Sequence, residues 1–425
     1  MSWLFGAFAV TLVLGIPVIF VLGISALVYF LFTGQPHMLL VVPQRMFSGI
    51  DQFVLLAIPL FVLAGNIMSG AGLTQRLLDF ANIWVGRFRG GVSLTAIWGS
   101  FLFGGVSGSA AADAAALGSV LIPEMKRQGY EPGYSSGLIA VSSIMAPLVP
   151  PSIAMIIYGA LSGTSIARLL IAGIVPGVLL AIGLTVYAVW IARRRGYPTR
   201  PAASWDVILH ASIKAGPIML LPLLIIVGIR GGVFTATEAA AVAVIYAFLL
   251  AALLYRTLDL ARLRRALLDT ALMSSAIYLL MAMASITAFI LANEQLPQTI
   301  VNGLFAITEN KILLLLLVNA VLLVLGMFLD ITGVLVLAVP ALVGVGQALG
   351  LDPVHLGIMV VFNLLLGFVT PPVGLCLFIV ANIARLRMEA VAVSALPMLG
   401  VALAVLLIIT FVPEIVLFLP NLIIR

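Results

Sequence analysis

Charge is scarce in this 425-residue chain: Asp, Glu, Lys and Arg together make up 8% of it, against roughly 25% in a soluble domain. That excludes an aqueous body. Cys376 is the only cysteine, which excludes a disulfide framework and any multi-cysteine metal or iron–sulfur site. The three histidines, His37, His210 and His355, lie far apart near the ends of apolar segments and offer no metal cluster. None of the lysines (Lys126, Lys214, Lys311) follows a glycine, so the GxxxxGK(S/T) phosphate loop and the ATP hydrolysis it supports are missing. The amino end carries neither a basic n-region nor a small-residue cleavage site, so its apolar run reads as a first span that stays.

Apolar sequence fills the rest: 63% of residues are hydrophobic and the mean hydropathy is +1.28. About 20 apolar residues cross a hydrocarbon core. Runs of at least roughly that length occupy 3–32, 51–70, 134–162, 166–192, 213–230, 234–255, 271–292, 355–384 and 391–420. Residues 92–127 and 311–350 are too long for one straight crossing and have an aspartate among small residues near the middle, GGVSGSAAADAAALG at Asp113 and GMFLDITG at Asp330. Each is expected to fold back as a re-entrant hairpin with its tip at mid-membrane depth. A double proline then interrupts the following span, APLVPPS at 146–152 and GFVTPPVG at 367–374. Proline removes a donor and clashes with the preceding turn, so 134–162 and 355–384 are expected to be broken helices. The two hairpin-plus-break units, offset by about 220 residues, read as an internal duplication.

Charge placement suggests that the copies are inverted. With the amino end cytoplasmic and each hairpin returning to its own side, only Arg45, Arg168, Arg230, Lys311 and Arg425 of the 21 Lys and Arg fall outside. The inside group includes Arg193, Arg194, Arg195, Arg200, Arg256, Arg262, Arg264, Arg265, Arg385 and Arg387, as the positive-inside rule requires. The net charge of +6 therefore serves orientation and not nucleic acid. The expected organisation is a first repeat over 1–195, a cytoplasmic linker with an extra span over 196–233, and a second repeat over 234–425. Residues 256–270 place Leu260, Leu263 and Leu267 on one face and read as an interfacial helix or, failing that, a plain loop; 37–50 hold the same place in the first copy.

Of the fifteen acids, Asp113, Asp330 and Glu238 lie well inside apolar sequence, where a charge costs about 2.5–3.5 kcal/mol. Thr235-Ala-Thr-Glu238 has the spacing of a capping box, which accounts for Glu238. For the two aspartates either a functional role or bonding to hairpin-tip amides remains open. Broken helices free backbone carbonyls that water cannot satisfy, and such oxygens suit a small hard cation such as sodium. Around the first break the donors are the hydroxyls of Ser107, Ser109, Ser142 and Ser143, the Asp113 carboxylate and the carbonyls near Pro147 and Val149. Around the second they are Asp330, Thr332, Thr370 and the carbonyls near Gly326, Gly367 and Val369. The helix amino ends at the breaks, by Pro150 and Ser152 and by Pro371 and Pro372, carry partial positive charge and can face an anionic substrate. A single Ser or Thr in such a helix is more often bonded to its own backbone.

GSAAADAAALGSVLIPEMKRQGY, APLVPPSIAMIIYGALSGTSI, GGVFTATEAAAVAVIYA and GFVTPPVGLCLF together resemble the large membrane subunit of tripartite ATP-independent periplasmic (TRAP) transporters, over essentially the whole chain. Ala236 departs from a common proline in FTPTEA, which touches only the pre-organisation of a helix start. The resemblance implies an all-α polytopic fold of inverted repeats, with a mobile body of two hairpins and two broken helices moving as an elevator against a scaffold. It implies a sodium-coupled importer of small organic anions, such as sialic acid or C4-dicarboxylates, in the bacterial inner membrane. The amino end would be cytoplasmic and the carboxyl end periplasmic. The implied partners are a periplasmic substrate-binding protein and a separate small membrane subunit of about four helices; no enzymatic activity, catalytic residue or cofactor other than coupling Na⁺ is implied. Each charge entering down ~100 mV supplies about 2.3 kcal/mol, roughly a fifty-fold accumulation, so ATP is not needed.

Three other readings compete. Two membrane aspartates could form an intramembrane protease, but no GxGD context surrounds either. A channel would use the same broken helices as a filter. A sodium- or proton-coupled carrier taking substrate directly from solution, without a binding protein, is the strongest rival.

Overall fold

The computed structural model describes residues 1–34, 36–199 and 204–424; Arg200 and Arg425 lie outside them. The described residues form helices and loops with no strand. Where one span was expected at 3–32 there are two helices, α1 (Ser2–Val13) and α2 (Val18–Phe32). Gly15 turns with φ +75° and Pro17 brings no amide donor, so the helix cannot run through and α1 folds back along α2. After α3 (Val41–Ile50) come α4 (Ala57–Gly70) and α5 (Leu73–Val85). The expected first hairpin follows as α6 (Gly91–Ser107) and α7 (Ala110–Arg127). Gly108, at φ +60°, ends one arm and Ser109 caps the other, so the chain reverses in two residues.

The first broken helix is α8 (Pro132–Ser143), a 3₁₀ turn at Ala146–Leu148 and α9 (Ile153–Ser162), bent by 46°. The half closes with α10 (Ile166–Ala172) and α11 (Ile174–Arg195). The second half opens with α12 (Trp205–Arg230) and α13 (Ala236–Leu249). The box foreseen at its start is present: the Thr235 hydroxyl accepts from the Glu238 amide at 3.3 Å, and the Glu238 carboxylate accepts from the Thr235 amide at 2.8 Å. Next come α14 (Leu260–Asn293) and α15 (Leu296–Ile307). The second hairpin is α16 (Lys311–Phe328) and α17 (Ile331–Ala348). The second broken helix is α18 (Pro353–Gly367) and α19 (Leu375–Ala384), followed by α20 (Met388–Phe411) and α21 (Pro413–Ile423).

Several expectations change. The segment expected as a separate interfacial helix is the first part of the 34-residue α14, capped by Asp259 and continuous with the span behind it. Its packed positions are Ala266 and Thr270, while Leu260 and Leu267 are exposed. The run 391–420 is divided at Pro413. Helices α5 and α15 were not expected, because Arg76 and Asp79 in one and Gln298 and Asn302 in the other interrupt their apolar runs. Among the described residues eight helices are long and apolar enough to cross a membrane, or nine with the bent pair; α16 and α17, two of the eight, are the arms of one hairpin.

Packing ties the halves together. The second arm of each hairpin lies against the second part of the other half's broken helix, α7 on α19 and α17 on α9. Contacts within each half repeat at the same offset. A Cβ on Gly104 would lie 2.6 Å from the Ala146 Cα, and one on Gly367 would lie 2.3 Å from the Gly326 carbonyl carbon. Helices α8 and α18 are buried over nearly their whole length in this body; the first break is buried with them, whereas residues 371–373 of the second are exposed. A second group surrounds it, with α4 against α13 and α14, α2 and α3 against α14, and α12 against α5 and α13.

Candidate functional site

The tip of the first hairpin is pressed onto the first break. Only glycine fits at Gly108, since a Cβ there would lie 2.3 Å from the Pro151 carbonyl oxygen. Asp113, in the first turn of α7, is fully buried. One of its oxygens accepts from the Ser100 hydroxyl of the facing arm at 2.6 Å. The other has no partner among the described residues, and neither do the buried hydroxyls of Ser107 and Ser142. An unsatisfied buried oxygen costs about 1–3 kcal/mol, and these three lie on α6, α7 and α8, which pack against one another.

The other expected ligands there divide by role. Ser109 caps α7, accepting from the Ala112 amide at 3.4 Å, and Ser143 donates to the Ala140 carbonyl of its own helix at 2.7 Å. Pro147, Val149 and Pro150 are buried in the break, where the Pro150–Pro151 bond is cis. Ser152 caps α9, accepting from the Met155 amide at 3.3 Å.

At the second break Gly326 and Gly367 meet backbone to backbone. Asp330 is exposed and caps α17, accepting from the Thr332 amide at 2.9 Å. This is the local bonding that was the alternative to a functional role. It also separates the two aspartates. The residue in Asp330's place in the first hairpin is the cap Ser109, whereas Asp113 sits deeper in its arm. Thr332 and Val369 are buried, and the Thr370 hydroxyl donates to Leu366 at 2.7 Å. Pro371 and Pro372, also joined by a cis bond, are exposed, unlike their buried counterparts. Helix α19 begins at Gly374 with no side-chain cap. Among the four helix starts at tips and breaks it is the one whose amides no side chain covers.

Two features escaped the sequence reading. Ser100 pairs with Asp113 only because the hairpin folds back. In the second half, the Asn363 amide donates to the Asn319 carbonyl at 2.9 Å and to its side-chain oxygen at 2.7 Å, while Asn319 donates to Thr410 at 3.2 Å. This network ties α16, α18 and α20 together. Two side-chain amides inside apolar runs, as in ILLLLLVNAVLLVLG, were a usable signal, since polar groups in membrane helices hydrogen-bond across them.

A family model described as "Tripartite ATP-independent periplasmic transporter, DctM component" matches residues 5–415. The chain is 40% identical over 408 residues, 96% of its length and 95% of the relative's, to the sialic acid TRAP transporter large permease protein SiaM of Vibrio cholerae. It is 38% identical over 377 residues, covering 89% of this chain and 88% of the relative, to the C4-dicarboxylate TRAP transporter large permease protein DctM of Pseudomonas aeruginosa. An isethionate TRAP transporter permease protein, DctMQ of Oleidesulfovibrio alaskensis, is 36% identical over 98% of this chain and 65% of its own length. The crystal structure of the YdaH transporter of Alcanivorax borkumensis superposes with a TM-score of 0.61 over 89% of this chain and 88% of that one, at 15% identity. That last likeness concerns the fold alone.

Proposed function

Because the chain belongs to the DctM-component family of TRAP transporters, and is thus a multi-span membrane permease and not an enzyme, we propose that it imports small organic anions by sodium coupling. The observation that carries the sodium part is the buried Asp113 oxygen left unpartnered beside the hydroxyl-bearing ends of α6 and α8. A carboxylate in that position is tolerable once a cation is bound to it. Ser107 and Ser142 supply further oxygens, with Ser109, Ser143 and the carbonyls of Pro147 and Val149 nearby along the chain. The second site draws on Gly326, Asp330, Thr332, Gly367, Val369 and Thr370.

The anion belongs at the amino end of α19, beside the exposed Pro371 and Pro372, where the helix dipole and a first turn that no side chain covers favour negative charge, although the Cys376 amide there already donates to the Phe368 carbonyl at 3.0 Å. The Ser152 start of α9 is already capped by its own hydroxyl. Relatives named for sialic acid and C4-dicarboxylate support small carboxylates as cargo.

The interlocked hairpins and broken helices form the moving body of an elevator, and the helices around α4, α13 and α14 the scaffold. Gly65 of α4 allows a close approach between them: a Cβ there would come within 3.1 Å of the Val106 carbonyl oxygen. Residues 1–195 and 234–425 are the two inverted repeats, joined by 196–233. The protein works in the bacterial inner membrane, amino end inside and carboxyl end outside, with a small four-helix membrane subunit and a periplasmic binding protein. Uptake into proteoliposomes holding both membrane subunits, with and without the binding protein and an inward sodium gradient, tests this reading. Uptake indifferent to sodium, or undiminished without the binding protein, overturns the corresponding part.

A further inference from the structure

The two hairpins are built differently. Arms α6 and α7 pack along each other, whereas α16 and α17 meet only at their turn, α16 lying on α18 and α17 on α9 and α15. Between the parted arms, closed off by α1, α2, α14 and the start of α15, is a crevice of about 500 Å³. It runs from Leu325 and Leu329 at the tip to Leu317 and Val345 further along the arms. Its wall holds two hydroxyls: Ser25 donates to the Val21 carbonyl at 2.6 Å, and Thr287 has no partner among the described residues. Phe5 and Val321 line it and are 49% and 53% exposed, so its mouth opens sideways between membrane helices.

Three contents are conceivable for such a space. A void this large forfeits contact energy in proportion to its volume, more than a marginally stable fold tolerates. Water needs two to four polar partners, and one free hydroxyl does not supply them. Hydrocarbon needs none, and it is the solvent outside the mouth. Pockets that hold ligands have volumes of about 300–1,000 Å³, so the size suits an acyl chain.

We propose that an acyl chain of a bilayer phospholipid enters this crevice and holds the arms of the second hairpin apart. The headgroup stays outside, since nothing in the wall would bind it. The occupant thereby makes the second hairpin the adjustable one and leaves the first closed on itself. This proposal stands whether or not sodium is the coupling ion.

The test uses the full chain in phosphatidylethanolamine–phosphatidylglycerol liposomes containing a phospholipid with a diazirine at the end of one acyl chain. Photolysis is expected to label peptides from α16 and α17 more strongly than the lipid-facing side of α12. In Ala338→Trp, which fills the crevice, that label is lost while α12 keeps its own. Label on α16 and α17 no stronger than on α12, or undiminished in the variant, overturns the proposal. Should Ala338→Trp fail to insert, Val321→Trp at the mouth gives the same reading. Loss of the label when the small membrane subunit is co-reconstituted would assign the crevice to a helix of that subunit and equally overturn it.

Discussion

A carboxylate with no water on any side needs a proton or a cation, and the surroundings of Asp113 discriminate between its two oxygens. One is held by Ser100 and the other is free. Asp113→Asn keeps an oxygen for Ser100 but not the charge, so sodium-stimulated uptake is expected to vanish while the protein still inserts; unchanged sodium dependence would remove Asp113 from the machinery. Asp330→Asn retains a helix cap, so a loss of sodium stimulation there is expected to report the charge alone, and full activity would leave Asp330 as a cap. The Asn319–Asn363 pair obeys different arithmetic. Asn363→Leu strips two acceptors on Asn319 of their donor and is expected to cost about 1–2 kcal/mol in detergent unfolding. The double replacement by leucine should recover part of that, because removing both partners is nearly neutral. Equal losses in single and double variants would refute the coupling.

Elements show where local sequence suffices. The double prolines break their helices whatever surrounds them, and runs too long for one crossing, with an aspartate near the middle, made both hairpins legible; the caps Ser109 and Asp330 then fix where the second arms begin. Helices α5 and α15 were not, because they are amphipathic and short, and length was the criterion. Glycines at helix crossings give a sharp test. Gly367→Ala puts a Cβ against the Gly326 backbone, which cannot yield as a flexible side chain would, and should lower both the unfolding temperature and uptake. Gly400→Ala, in the interior of α20 with nothing within 4 Å, should be neutral or stabilising by up to about 1 kcal/mol. The reverse order would show that the hairpin-to-break contact is not tight.

At the scale of the whole molecule, interlocking of α7 with α19 and of α17 with α9 means that neither half can move its break alone. On the elevator reading the body travels as one. Inversion makes a prediction that contacts do not. In a Cys376→Ser background, Arg127→Cys at the base of the first hairpin should react with membrane-impermeant maleimide only from the cytoplasmic side, and Gln347→Cys at the base of the second only from the periplasmic side. Reaction of both from one face would end the inverted-repeat account.

Composition and local chemistry were enough to read a chain that lives in lipid and the points where most of its helices stop. Those follow from solvent transfer and backbone chemistry, which are local. Folding had to settle which oxygens lack partners, that Asp113 and Asp330 hold different places in their hairpins, and that one hairpin is closed and the other parted. Those depend on residues distant in the chain, Ser100 with Asp113 and Asn319 with Asn363, meeting across helices, and no periodicity encodes such meetings.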